Sequence, residues 1–247
     1  MIEVRDLEKS FGRHKVLENV SFRIDKGESV VIIGRSGGGK SVLLKHLIAL
    51  LQPDSGQVLI DGENIVTMNE RQLLRVRRKF GMLFQGAALF DSMSVAENVA
   101  FAFRRDRSLP ESEIARKVAH VLELVDLPGI ENKNPSELSG GMRKRVGLAR
   151  AIVYQPQIVL YDEPTTGLDP IASDSIDKLI LRVRDRLDVT SVVVTHDMRS
   201  ARRLGQRILM LHNKRIYAVG TPDEIFQSQD PVVRQFVEGV SDLKEAI

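Results

Sequence analysis

The stretch Ser29-Val30-Val31-Ile32-Ile33-Gly34-Arg35-Ser36-Gly37-Gly38-Gly39-Lys40-Ser41-Val42-Leu43-Leu44 decides the fold. Gly34 to Ser41 is a complete G-x-x-x-x-G-K-[ST] phosphate loop. A β-branched run precedes it, and Val42, Leu43, Leu44, Leu47, Ile48 and Leu51 recur at helical spacing after it. Strand, loop, helix is the context the motif requires. A polyphosphate carries several negative charges that must be held without competition from water. Without Cβ atoms, Gly34, Gly37, Gly38 and Gly39 let the backbone aim successive N–H groups inward, and the helix adds the positive end of its dipole. Lys40 then reaches the β/γ-phosphates, and Ser41 offers a hydroxyl to Mg²⁺. Gly34, Arg35, Ser36, Gly37, Gly38, Gly39, Lys40, Ser41 and Val42 are therefore the expected nucleotide-binding run.

Working outward, 247 residues suffice for one large α/β domain, or a core domain with a helical insertion, but not for a second complete catalytic module. Cysteine is absent, which excludes disulfides, thiolate zinc sites and cysteine nucleophiles. The amino terminus lacks a basic stretch followed by an apolar run, and no segment approaches the length of a membrane span, so a chain soluble by itself is expected. The net charge of +3 is spread along the chain rather than concentrated, and no nucleic-acid partner is expected.

Ile2 and Val4, then Val20, Phe22 and Ile24, alternate as half-buried strands should, with a turn at Lys26-Gly27. Pro53-Asp54-Ser55-Gly56 predicts a turn, Gln57–Ile60 a strand and Asp61-Gly62 a hairpin turn. Ile114, Val118, Val121, Leu122 and Val125 share one helical face. The β/α alternation resumes at Ile158-Val159-Leu160-Tyr161, continues through a helix carrying Ile176, Leu179, Ile180, Val183 and Leu187, and reaches a buried strand at Val192-Val193-Val194. Asp162 ends an apolar strand, where a carboxylate is costly unless it faces a cation. A polar tail follows from about Ser241.

Leu138-Ser139-Gly140-Gly141-Met142 lies downstream of the phosphate loop and upstream of Asp162-Glu163. Taken with those motifs, the chain resembles the ATPase subunits of ABC transporters over nearly its whole length. The resemblance implies an α/β P-loop ABC ATPase core with an antiparallel β-subdomain and an inserted α-helical subdomain. The ATP-binding domain would cover 1–240, the helical subdomain roughly 88–155 and a tail 241–247. Phe11 stands where the family stacks an aromatic ring on adenine, or else it caps the β-subdomain core. Gln85 matches the Q-loop glutamine, which contacts Mg²⁺ or the attacking water. Asp162 matches the residue that organises Mg²⁺, Glu163 the one that polarises water for attack on the γ-phosphate, and His196 the switch histidine. Lys40, Gln85, Glu163 and His196 are thus the implied catalytic set, with Ser41, Gln85 and Asp162 toward Mg²⁺.

Ser139, Gly140 and Gly141 match the signature that crosses to ATP held by a second subunit, and Asp169 the D-loop at the same interface. Hydrolysis would need a head-to-tail dimer. Met142 replaces the family's usual glutamine, but the serine and both glycines remain. Four runs, Gly39–His46, Phe84–Phe90, Leu138–Arg145 and Val233–Gly239, are similar to the ATPases of bacterial Mla/Mce-type lipid transporters. Phospholipid transport between inner and outer membranes is then implied, from the cytoplasmic side of the inner membrane. The implied partners are a second copy, two permease subunits, an MCE-type substrate-binding protein and a small STAS-domain regulator. Alternatives are an importer-like system for another substrate, or a soluble ABC ATPase in cofactor assembly or DNA repair. Ala87-Ala88-Leu89-Phe90 either receives a permease helix or packs within the insertion. The run around Phe236 either contacts a subunit or closes the fold as an amphipathic helix.

Overall fold

The structure is a computed structural model that describes residues 1–106 and 109–240; the expected tail at 241–247 lies outside the described residues. The chain clusters into two compact units, Met1–Leu73 with Val192–Ile247, and Leu74–Ser191. The first unit opens with β1 (Ile2–Phe11), β2 (His14–Ile24), β3 (Ser29–Ile33), α1 (Lys40–Leu47), β4 (Ser55–Ile60) and β5 (Glu63–Asn64). After α2 (Glu70–Arg77), which spans the boundary, the second unit holds β6 (Phe80–Leu83), α3 (Val95–Asp106), α4 (Glu111–Leu124), α5 (Gly140–Ile152), β7 (Ile158–Asp162) and α6 (Pro170–Leu187). The chain returns through β8 (Thr190–Thr195) to α7 (Met198–Leu204), β9 (Arg207–His212), β10 (Arg215–Gly220), α8 (Pro222–Phe226) and α9 (Pro231–Glu238).

In the first unit, β2-β1-β4-β5 form an antiparallel sheet. Ile2 stands opposite both Ile24 and Ile60, and Val4 opposite Phe22 and Val58. Since alternate residues of a strand share a face, this register gathers Ile2, Val4, Ile24, Val58 and Ile60 into one buried layer. Asp61 and Gly62 take φ of 52 and 83, the left-handed pair that a two-residue hairpin needs.

The phosphate-loop strand follows different rules. Val30 to Ile33 are fully buried, so β3 is covered on both faces and reads as a continuous apolar run. It lies parallel to β9, Val30 opposite Arg207 through Ile33 opposite Met210. Ser29 fixes its start, donating from Oγ to the Leu204 carbonyl at 2.6 Å and from N to Gln206 Oε1 at 2.8 Å. The antiparallel β10 turns back on β9 through Asn213 and Lys214, also at positive φ. Strands β9 and β10 lie beyond those expected from the sequence, although Ile208 to Leu211 is a buried apolar run. Helix α1 stops at Leu47, so Leu51 of the expected stripe lies outside it.

In the second unit β6 and β7 are parallel, from Phe80 opposite Ile158 to Leu83 opposite Tyr161. Ile114, Val118, Val121 and Leu122 along α4, and Val125 at its C-cap, are all buried, each contributing about 1.5–3 kcal/mol relative to exposure. Helix α5 packs against β6, α3, α4 and α6. No helix among the described residues is long and apolar enough to cross a membrane.

The tightest packing of α5 on β6 is at Gly81, where a Cβ would collide with the Ala151 backbone carbonyl. Gly81→Ala is expected to lower the unfolding free energy by about 1–3 kcal/mol, as overpacking against backbone does. Chemical denaturation reads this, and an unchanged midpoint would contradict the close approach.

Candidate functional site

Strand β3 delivers the chain into the phosphate loop at Gly34, where a Cβ would lie 2.5 Å from the Leu211 carbonyl oxygen. Only glycine lets the loop pass this close to β9. At the far end Gly39 takes φ of 98 as the N-cap of α1, a left-handed conformation that strains other residues. Between them the Gly38 N–H donates to the Arg35 carbonyl at 3.0 Å, folding the loop on itself. The Lys40 ammonium donates to the carbonyls of Gly34 at 2.8 Å and Arg35 at 3.1 Å. Its charge is thereby held against the loop. No acidic residue lies in the first turn of α1, and Gly39 supplies no side-chain cap, so the positive end of the helix faces the loop undiminished by protein carboxylates of that turn.

Two cavities border the loop within the first unit. One, of about 300 Å³, is lined by Arg35 to Gly38 together with His14, Lys15, Val16, His212 and Lys214. The other, of about 450 Å³, lies among Arg35, Ser36, His196 and the α9 side chains Val232 and Phe236. His14 and His212, which lack metal-ligand spacing in the sequence, thus stand beside the loop. Phe11 ends β1 opposite His14 and is 49% exposed, which removes the reading of it as a core cap. The Lys9 ammonium sits 5.5 Å from its ring centroid. His196 follows β8 and is exposed. The next residue, Asp197, donates its N–H to Thr195 Oγ1 at 3.0 Å and caps α7 through its carboxylate.

The second unit holds the other candidates. Strand β7 ends at Asp162, which is 5% exposed, and the following Glu163 is 7% exposed with φ of 49. Thr166 donates from Oγ1 to Glu163 Oε2 at 3.2 Å, turning the carboxylate toward its own loop. Gln85 is exposed in the loop after β6. That loop is braced: Arg150 donates to the Ala87 and Ala88 carbonyls, each at 2.7 Å, and buried Asn98 accepts from the Phe90 N–H at 2.8 Å. Ala87 is buried whereas Phe90 is 42% exposed, so the run divides between packing and surface.

Ser139 caps α5, its Oγ accepting from Met142 N–H at 3.3 Å. Asp169 caps α6, accepting from the N–H groups of Ile171 at 2.9 Å and Ala172 at 3.0 Å. The Ala172 N–H first, then that of Ile171, holds the Asp169 carboxyl below the usual carboxylate range. A Cβ on Gly140 would lie 3.4 Å from Leu168, placing the start of α5 beside the segment that leads to Asp169.

One residue escaped the sequence. Lys144 is 5% exposed and its ammonium donates to the backbone carbonyls of Gln85 and of Glu163, the latter at 3.2 Å. Burial pushes its pKa down, against the opposing pull of Asp162 and Glu163. Helical phase is the only sequence signal for it: Lys144 lies four residues before buried Leu148, on the inward side of α5.

Chemically, the first unit gathers backbone N–H groups, a lysine and basic cavity walls suited to a polyphosphate. The second gathers two adjacent carboxylates at a strand end with a basic residue beneath them. Within the second unit, Gln85 and Asp162 offer amide and carboxylate oxygens of the kind that suit a hard cation. Among the described residues no cluster of three or more histidine, cysteine, aspartate or glutamate side chains could hold a metal alone.

The sequence profile of a family described as ABC transporter matches residues 17–166. The probable ribonucleotide transport ATP-binding protein mkl of Mycobacterium leprae is 46% identical over 238 residues, spanning 96% of this chain and 69% of its own length. The intermembrane phospholipid transport system ATP-binding protein MlaF of Haemophilus influenzae is 41% identical over 242 residues, spanning 98% of this chain and 92% of its own. The dimeric post-hydrolysis state of the ATP-binding cassette MJ0796, bound to ADP and Pi, superposes with a TM-score of 0.82 at 31% identity, over 90% of this chain and 99% of that one.

Lys40→Ala should weaken ATP binding by about ten- to a hundredfold, the loss of a charged hydrogen bond worth about 1.5–3 kcal/mol. Titration with a fluorescent ATP analogue checks this; unchanged affinity would remove Lys40 from the site.

Proposed function

Because the chain belongs to the ABC transporter family, we propose that it is the ATPase subunit of a bacterial transporter that moves phospholipid between the inner and outer membranes. It is an ATP-binding, ATP-hydrolysing cassette. The observation that carries the transported class is the likeness to the Haemophilus phospholipid-transport ATPase, which runs through nearly the whole of both chains. The resemblance of the four local runs to lipid-transporter ATPases supports the same reading.

In this reading residues 1–240 form one ATP-binding domain, with a helical subdomain at roughly 88–155 that transmits motion to the membrane partner. Phe11 stacks on adenine while the run from Gly34 to Val42 cradles the phosphates. Ser41, Gln85 and Asp162 would hold Mg²⁺, which supplies neutralisation of phosphate charge when bound. Glu163 orients and polarises water for in-line attack on the γ-phosphate, and His196 links that phosphate to the glutamate. Ser139, Gly140, Gly141 and Asp169 serve ATP held by a second copy in a head-to-tail dimer. The dimeric state of MJ0796 supports this arrangement. The α5 N-terminus favours phosphate, since Ser139 and two glycines open it without a carboxylate in its first turn. Met142 leaves those groups in place.

The partners in this reading are two permease subunits, an MCE-type substrate-binding protein and a STAS-domain regulator, with the chain peripheral on the cytoplasmic face of the inner membrane. A permease helix seats beside Gln85 on exposed Ala88 and Phe90, whose loop Arg150 and Asn98 hold in shape. A second reading is favoured by the name of the Mycobacterium leprae relative: an ATPase of the same chemistry serving another cargo.

Affinity purification of the tagged chain from native membranes, with protein and lipid mass spectrometry, separates these. Recovery of a permease, an MCE protein and phospholipid is expected; recovery with another substrate-binding protein, or with soluble assembly or repair proteins, overturns the lipid reading and leaves the ATPase intact. Ala88→Glu should reduce permease recovery while ATP binding by the chain persists, and undiminished recovery would place the docking helix elsewhere. Glu163→Gln should keep ATP binding, lower kcat by about 10²–10⁴ and trap a nucleotide-filled dimer, as loss of an acid–base group does. Full turnover by that variant would remove Glu163 from its role.

A further inference from the structure

We propose that Lys144 is a positioning residue for hydrolysis, tying the helix that begins at Ser139-Gly140-Gly141 to the backbone of both Gln85 and Glu163. All the residues concerned lie in the second unit. An ammonium has three donors and no acceptor. Here one N–H donates to the Gln85 carbonyl and another to the Glu163 carbonyl, so a single side chain from the second turn of α5 joins the loop after β6 to the end of β7.

Filling space alone does not explain a lysine at this position. Leu148, one turn further along the same face, is a buried aliphatic residue and meets the packing requirement without a charge. A buried ammonium costs desolvation, and that cost is offset only by acceptors and nearby negative charge. Both are present, in the two carbonyls and in the charges of Asp162 and Glu163.

The position of Glu163 adds a second observation. Its φ of 49 is left-handed for a residue that carries a Cβ and a long side chain, so its peptide orientation must be held by neighbours. Lys144 holds its carbonyl together with the Thr166 N–H at 3.3 Å, while the Thr166 hydroxyl holds its carboxylate. The glutamate is thus gripped at both ends, and one grip comes from α5. A shift of α5 along its axis moves the Gln85 and Glu163 backbones together. The phosphate loop lies in the first unit, where the Lys40 ammonium donates to the carbonyls of Gly34 and Arg35.

This inference rests on the proposed roles of Gln85 and Glu163. The test is steady-state ATPase kinetics and ATP affinity of the full-length chain, in the complex isolated from native membranes. Lys144→Met keeps an unbranched side chain, one atom shorter, and loses the donors; Lys144→Arg restores donors. The Met variant should lose about ten- to a hundredfold in kcat, the scale of a displaced catalytic group, with ATP affinity within about twofold of the parent. The Arg variant should recover most of the loss. Wild-type turnover by the Met variant overturns the proposal. So does a Met variant whose kcat, ATP affinity and melting temperature fall together without rescue by Arg, since that is a packing defect. Glu163→Gln measured in parallel keeps the two readings apart: an inert Glu163→Gln beside a fully active Lys144→Met defeats only the role of Lys144, whereas an active Glu163→Gln defeats the site on which it rests.

Discussion

Concentrated negative charge is the constraint on which the first unit is built. A polyphosphate can be held in a low-dielectric site only by many oriented dipoles and a cation at once. Side chains are too bulky to supply those dipoles at close range, so the backbone itself must approach. This demands a loop passing so close to β9 that a Cβ on Gly34 would lie 2.5 Å from the Leu211 carbonyl oxygen, a left-handed residue at Gly39, and a strand rigid enough to aim both. Burial of Val30 to Ile33 on both faces and the anchoring of Ser29 by Leu204 and Gln206 supply the rigidity.

Helix starts in this chain show how the same geometry is used in opposite ways. Asp169, Asp197 and Asp230 each cap a helix with a carboxylate that accepts two backbone N–H groups. Those ends are satisfied by the protein's own negative charge. At α1 the cap is a glycine, and at α5 it is the neutral Ser139 followed by two more glycines. Both α1 and α5 start with neither a carboxylate cap nor an acidic residue in the first turn. The contrast is electrostatic and requires no difference in helix geometry.

The second unit solves a different problem, which is to keep two acids at a strand end while holding their backbone in an uncommon conformation. Asp162 and Glu163 are both nearly buried, and an isolated buried carboxylate is expensive. Lys144 lies close enough for both charges to raise its pKa against burial, and it satisfies a carbonyl of the same turn. Arg150 plays a corresponding part for the loop at Ala87 and Ala88, where two non-glycine residues stand at positive φ with their carbonyls gathered by one guanidinium. Basic side chains of α5 thus organise loop backbone, and the helix capped by Ser139 also shapes the loops around it.

Local patterns in the amino-acid order were enough for the phosphate loop, the strand before it, the apolar stripe from Ile114 to Val125, and the hairpin at Asp61-Gly62. Each is set within a few residues, by alternation, by 3.6-residue spacing or by the conformational needs of a tight turn. The motif residues from Gly34 to Ser41 and Asp162 at its strand end could be named for the same reason, whereas Glu163 was named by resemblance to a family. Tertiary structure alone decided that β9 lies parallel to β3 and makes glycine obligatory at Gly34, because that contact joins residues far apart in the chain. It alone decided that Phe11 is exposed rather than a core cap, and that Lys144 turns inward to the carbonyls of Gln85 and Glu163. A lysine in a helix reads as a solvated charge until the packing around it is known. Which carbonyls it meets depends on how α5, the loop after β6 and the end of β7 come together, and no local pattern encodes that meeting.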